Sequence, residues 1–132
     1  MRPRLAAFVA GLLLSSTVAA TAAAANGIDI KRALVPGGKG NTITVSLTYT
    51  CDATAAAKAV VVEIGDPATF ASGAGRVPPT CDSASHPVDV TVRSRNSLPF
   101  RRADDVTVDA RLTGTNGKAI DGAHASRAIR AE

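Results

Sequence analysis

The segment Thr42–Cys51, TITVSLTYTC, constrains this chain more than any other stretch. Ile43, Val45, Leu47, Tyr49 and Cys51 alternate strictly with Thr42, Thr44, Ser46, Thr48 and Thr50. A period of two puts alternate side chains on opposite faces of an extended backbone, so the segment reads as a strand with one buried and one wet face. Cys51 shares the parity of the apolar set, which aims its sulfur into the core. The same scheme returns at Val88–Arg95, with Val88, Val90 and Val92 against Asp89, Thr91 and Arg93, and at Asp105–Thr113, with Val106, Val108, Ala110 and Leu112 against Thr107, Asp109 and Arg111.

Weaker candidates fill the intervals. Gly27–Val35 reads as a first strand ended by Pro36-Gly37-Gly38, Lys58–Gly65 as a β-branched strand stopped by Asp66-Pro67, and Ala123–Arg130 as a last strand after the Thr115-Asn116-Gly117 turn. Residues 66–80, DPATFASGAGRVPPT, hold three Pro and two Gly with little periodicity and read as a long loop, and a seventh short strand is expected near Thr80–Asp82. Strands separated by turn signals, with no amphipathic helix, predict an all-β fold: an antiparallel immunoglobulin-like β-sandwich of about seven strands.

Met1–Ala25 stands apart. Arg2 and Arg4 precede the apolar run Leu5–Leu14, which softens into Ser, Thr and Ala. This is the order of a secretory signal peptide, expected as a helix, and the run is too short to span a bilayer. The small residues Ala23-Ala24-Ala25 suit a cleavage site near Ala25, with Ala20 and Ala22 as alternatives. The expected organisation is a signal peptide over residues 1–25 and one β-sandwich domain over residues 26–132, secreted and with no membrane contact after cleavage. The chain's net charge of +4 falls to about +2 in the exported part, because two of its 15 basic and none of its 11 acidic residues lie in the leader. That is too weak a bias to name a partner.

Cys51 and Cys81 are the only two cysteines, and both lie in the exported part. An even count in an oxidising compartment predicts a disulfide, whereas a redox or metal role would need C-x-x-C spacing or nearby His ligands. The chain also has one Tyr, three Phe and no Trp, so the core is built thinly from Val, Ile, Ala and Leu, and a covalent link between distant segments matters more.

The chain offers few candidate functional residues. His86 and His124 lie 38 residues apart, and no G-x-S-x-G elbow supplies a nucleophile, so no catalytic residue and no enzyme activity is expected. Asp52, Asp66, Asp82, Asp104 and Asp105 fall in loops without the regular spacing of a calcium loop and read as turn and cap residues, so neither a metal nor another cofactor is expected. Arg93, Arg95, Arg101 and Arg102 form the densest basic patch, but Asp104 and Asp105 follow and no aromatic residues interleave, which argues for a solvated face and against nucleic acid. Phe70 and Phe100 are the aromatics expected outside strands. Each is a candidate partner contact, with plugging an end of the sandwich as the alternative.

The segments LTYTCD at Leu47–Asp52 and TCDSASH at Thr80–His86, followed by V-D-V-T-V, resemble small secreted actinobacterial single-disulfide β-sandwich domains of uncharacterised function. The resemblance covers most of the mature chain and implies an exported, single-disulfide sandwich, with no functional residue to carry over. Two families of similar size, the subtilisin-inhibitor type and the neocarzinostatin-type chromophore carriers, are set aside because both rely on two disulfides. The functional expectation is a secreted, non-enzymatic structural or binding module whose partner is a protein or a cell-envelope polymer. The alternative is an inhibitor or effector that presents loop 66–80 to a hydrolase or other protein.

Overall fold

A computed structural model describes residues 26–132. The expected signal peptide lies outside these residues. Among the described residues, nine strands run β1 (Gly27–Leu34), β2 (Lys39–Gly40), β3 (Thr42–Thr50), β4 (Ala59–Asp66), β5 (Ala71–Val77), β6 (Ser85–Ser94), β7 (Phe100–Arg101), β8 (Asp105–Thr113) and β9 (Ala119–Arg130), with a single 3-10 turn at Pro36–Gly38.

Seven of them follow one another by antiparallel pairing in the order β1-β3-β6-β5-β4-β8-β9. The ladder is nearly broken at one place: β5 and β6 share only the pairs Gly73↔Ser94 and Ala74↔Arg93. There the sheet folds over, giving a three-stranded layer, β1-β3-β6, and a four-stranded layer, β5-β4-β8-β9, in the immunoglobulin-like manner. The opposite side is closed by the chain's last residues. The Val35 N–H donates to the Glu132 carbonyl and the Glu132 N–H to the Ala33 carbonyl, both at 2.8 Å, a parallel bridge that extends β9 along β1.

The core forms where the alternation predicts it. Along β3, Ile43, Val45, Leu47 and Tyr49 are buried and every intervening residue is half-exposed. Val60, Val62 and Ile64 of β4, Val90 and Val92 of β6, and Val106, Val108, Ala110 and Leu112 of β8 complete it. Cys51 is fully buried and bonded to Cys81, joining the end of β3 to the connection that precedes β6.

Two expectations are corrected. Residues 66–80 are not one long loop, because Ala71–Val77 is β5, leaving a short turn at 67–70. The seventh strand of the ladder is β5 and not a segment near Thr80–Asp82, which carries no strand. The reason is steric. β5 passes so close over β6 that a side chain at Gly73 would collide with the Arg93 carbonyl, and one at Gly75 would lie 2.7 Å from the Thr91 carbonyl. Only residues of low strand propensity fit there, so the strand reads as a loop.

Candidate binding tip

At the end of the sandwich opposite the disulfide, three connections meet: the β4–β5 turn, the β6–β7 loop and the segment from β7 to β8. The first is organised by Asp66. Its Oδ1 accepts the Ala68 N–H at 3.0 Å, and its carbonyl accepts the N–H groups of Thr69 at 3.3 Å and Phe70 at 2.7 Å. This is the turn role expected of an Asp before Pro. The turn closes with Phe70 at φ 64°, a left-handed conformation that is rare for a bulky residue. Phe70 is 76% exposed.

Asn96 locks this turn to the next loop. Its Nδ2 donates to the Phe70 carbonyl at 2.7 Å, while its Oδ1 accepts the Leu98 N–H at 3.3 Å and the Ser94 hydroxyl at 2.9 Å. The Arg95 N–H donates to the Ser72 carbonyl at 2.8 Å. Ser97, between Asn96 and Leu98, also has a positive φ of 65°. Leu98 is 38% exposed. One side-chain amide therefore holds two exposed apolar residues, 28 positions apart in sequence, on one rigid tip. Phe100, the other candidate partner contact, is fully buried and has no surface to offer. It fills the end of the core beneath the tip, as the plugging alternative anticipates.

Beneath the turn, Asp66 is buried and its Oδ2 has no hydrogen-bond partner. Burial first, and the Asp104 carboxyl beside it second, hold the Asp66 carboxyl above the usual carboxylate range. Asp104 itself is paired with Arg101 at 3.3 Å.

The remaining chemistry-bearing residues fall elsewhere. His86 Nε2 meets Asp82 Oδ1 at 2.7 Å near the disulfide end, and the His86 ring packs on Tyr49. The Tyr49 hydroxyl accepts the Thr80 N–H at 2.8 Å. On the outer face of β4-β8-β9, Asp109 Oδ1 lies 2.6 Å from His124 Nε2 and accepts the Ser126 hydroxyl at 2.8 Å, while Oδ2 accepts from Arg111 at 2.9 Å. Burial pushes the Asp109 carboxyl up, but these hydrogen bonds and the neighbouring charges outweigh it and hold it below the usual range. The Asp stands at the centre of this group, so Ser126 is bonded to a carboxylate and not to an imidazole. A nucleophile relay needs the reverse order, with His between hydroxyl and Asp. An open groove of about 540 Å³ is lined by Asp109 and Ser126 of this cluster together with Gly65, Thr107 and Ala128.

Of the aspartates expected in loops, Asp66 ends β4, Asp105 begins β8 and faces Arg130, Asp104 pairs with Arg101, and Asp52 and Asp82 behave as caps. Asp52 accepts the Thr54 N–H and hydroxyl, and Asp82 the Ala84 N–H. Among the described residues no three His, Cys, Asp or Glu side chains gather as metal ligands. In sequence, Phe70 and the arginines stand out separately, whereas Asn96, whose only signal is an Asn in a polar turn, and Leu98 as an exposed partner of Phe70 do not.

Comparison with known proteins found no match: no family model, no curated protein and no solved structure is similar to this chain.

Proposed function

We propose that this protein is an exported, non-enzymatic binding module that meets its partner at the cell envelope through the Phe70–Leu98 tip. The observation that carries the reading is Phe70 itself. A large apolar side chain is held in water, in a strained backbone conformation, by hydrogen bonds from both sides of its turn. Strain and exposure together are what a preorganised contact shows and what stability alone would not retain. Export is supported by the Met1–Ala25 pattern and agrees with a domain closed by a disulfide.

The experiment is fractionation of a culture expressing the full chain into medium, cell-wall and membrane fractions, comparing wild type with Phe70→Ala and Leu98→Ala. Retention on an envelope fraction that both variants lose supports the reading. Identical distributions of all three would overturn it. The alternative, an inhibitor or effector presenting loop 66–80, would have only the turn at 67–70 and residues 78–80 to present, since Ala71–Val77 of that segment is β5.

A further inference from the structure

The same tip carries an unbalanced charge. Each of the acidic side chains at this end is engaged or buried: Asp66 is buried, Asp104 pairs with Arg101 at 3.3 Å, Asp105 faces Arg130 at 3.9 Å and Glu132 pairs with Arg32 at 2.9 Å. Lys39, Arg93, Arg95 and Arg102 are exposed, and among the described residues none of the four has a carboxylate within 4.0 Å. They belong to the connections that surround Phe70 and Leu98: Arg93 and Arg95 lead into the Asn96 loop, Lys39 lies on β2 opposite Arg101, and the Arg102 guanidinium sits over Gly38. The sequence shows a basic patch and two isolated aromatics. The fold gathers Phe70, Leu98 and these four cations at one end of the sandwich and buries Phe100 beneath them.

We propose that this end docks on an anionic lipid bilayer, with Phe70 and Leu98 entering the interfacial region while the basic rim meets headgroup phosphates. The inference rests on the binding-module reading and names its partner. Protruding apolar side chains ringed by Arg and Lys match a surface that is apolar below and anionic above. A soluble polyanion would satisfy the cations but leave Phe70 and Leu98 in water. A protein partner would need a matching pocket, and here the apolar residues project instead of lining a groove. This departs from the sequence-based expectation of no membrane contact after cleavage, which followed from loss of the leader as an anchor; surface docking through two side chains is a separate and reversible contact.

The test is co-sedimentation of the protein, purified with its N terminus defined by mass spectrometry, with vesicles of equal parts phosphatidylglycerol and phosphatidylcholine or of phosphatidylcholine alone. With these four unpaired basic residues at the tip, partitioning onto the anionic vesicles is expected to be at least about tenfold stronger, and to fall about tenfold in Arg95→Glu, where attraction becomes repulsion. Phe70→Ala is expected to weaken it by a similar factor and Phe70→Trp to retain it, with melting temperatures confirming that each variant is folded. Binding that ignores Phe70 and follows charge alone would overturn the bilayer proposal in favour of a polyanion. No vesicle binding, together with Phe70-dependent retention on an envelope fraction, would overturn it in favour of a protein partner and leave the binding-module reading standing. If neither vesicles nor envelope fractions respond to Phe70, both readings fall.

Discussion

Phe70 and Asp66 sit four residues apart in one turn, and each works against the stability of the fold. A non-glycine residue in the left-handed region costs roughly 1–2 kcal/mol, and Phe70, being 76% exposed, recovers little of that by packing. Phe70→Gly is therefore expected to leave the melting temperature unchanged or slightly raised, since relief of strain is offset by about 0.5–1 kcal/mol of unfolded-state entropy. A clear loss of stability would show that the Phe ring supports the turn. Asp66 gives the complementary prediction. Its carboxyl holds a proton to higher pH in the folded chain than its ordinary value of 3.8. Between those two values the folded state binds the extra proton, so this group's contribution is fully present below 3.8 and is lost as pH rises through the raised value. Asp66→Asn keeps an oxygen for the Ala68 N–H and adds a donor toward Asp104. It is expected to stabilise the domain by about 1 kcal/mol at neutral pH and by little at pH near 4. Urea unfolding of both proteins across that range checks it, and a gain that does not grow with pH would mean that Asp66 is not the titrating group.

The elements follow from the sequence in proportion to how much their side chains do. β3, β6 and β8 pack apolar residues inward at every second position, and their alternation places them to within a few residues, β8 at its observed bounds. β5 is the opposite case. Gly73 and Gly75 are there because a neighbouring backbone occupies the space that side chains would fill, and little propensity signal survives that demand. Gly75→Ala, with its Cβ 2.7 Å from the Thr91 carbonyl, is expected to destabilise the domain by roughly 2–3 kcal/mol, whereas Gly40→Ala, which meets nothing within 4 Å, is expected to be nearly neutral. Thermal unfolding of the pair tests whether the β5–β6 crossing needs glycine; equal effects would deny it. The tip was legible only in parts for the same reason. Phe70 and Phe100 look alike in sequence, each beside turn residues, and only the fold buries one and exposes the other. Asn96 acts through a carbonyl 26 residues away, a partnership that no local pattern encodes.

At the scale of the whole molecule, stability and the proposed contact lie at opposite ends. The disulfide links Cys51 and Cys81 across 30 residues, where β3 ends and the connection into β6 begins, while the tip lies at the other end of strands of about nine residues, roughly 30 Å away. In the chain-entropy account, closing that loop stabilises the fold by about 3.5–4 kcal/mol, a large share of what a domain of this size has. Cys51→Ala with Cys81→Ala is accordingly expected to lower the melting temperature by about 15–25 °C. The strands between the two ends are rigid, and the tip is held by Asp66 and Asn96 without help from the disulfide. At a temperature where the double variant is still folded, its partitioning onto anionic vesicles should therefore equal that of wild type, whereas Phe70→Ala loses partitioning with its melting temperature kept. Loss of both properties in the cysteine variant, measured on a population shown to be folded by circular dichroism, would mean that the disulfide end shapes the tip and that the two ends are coupled through the core.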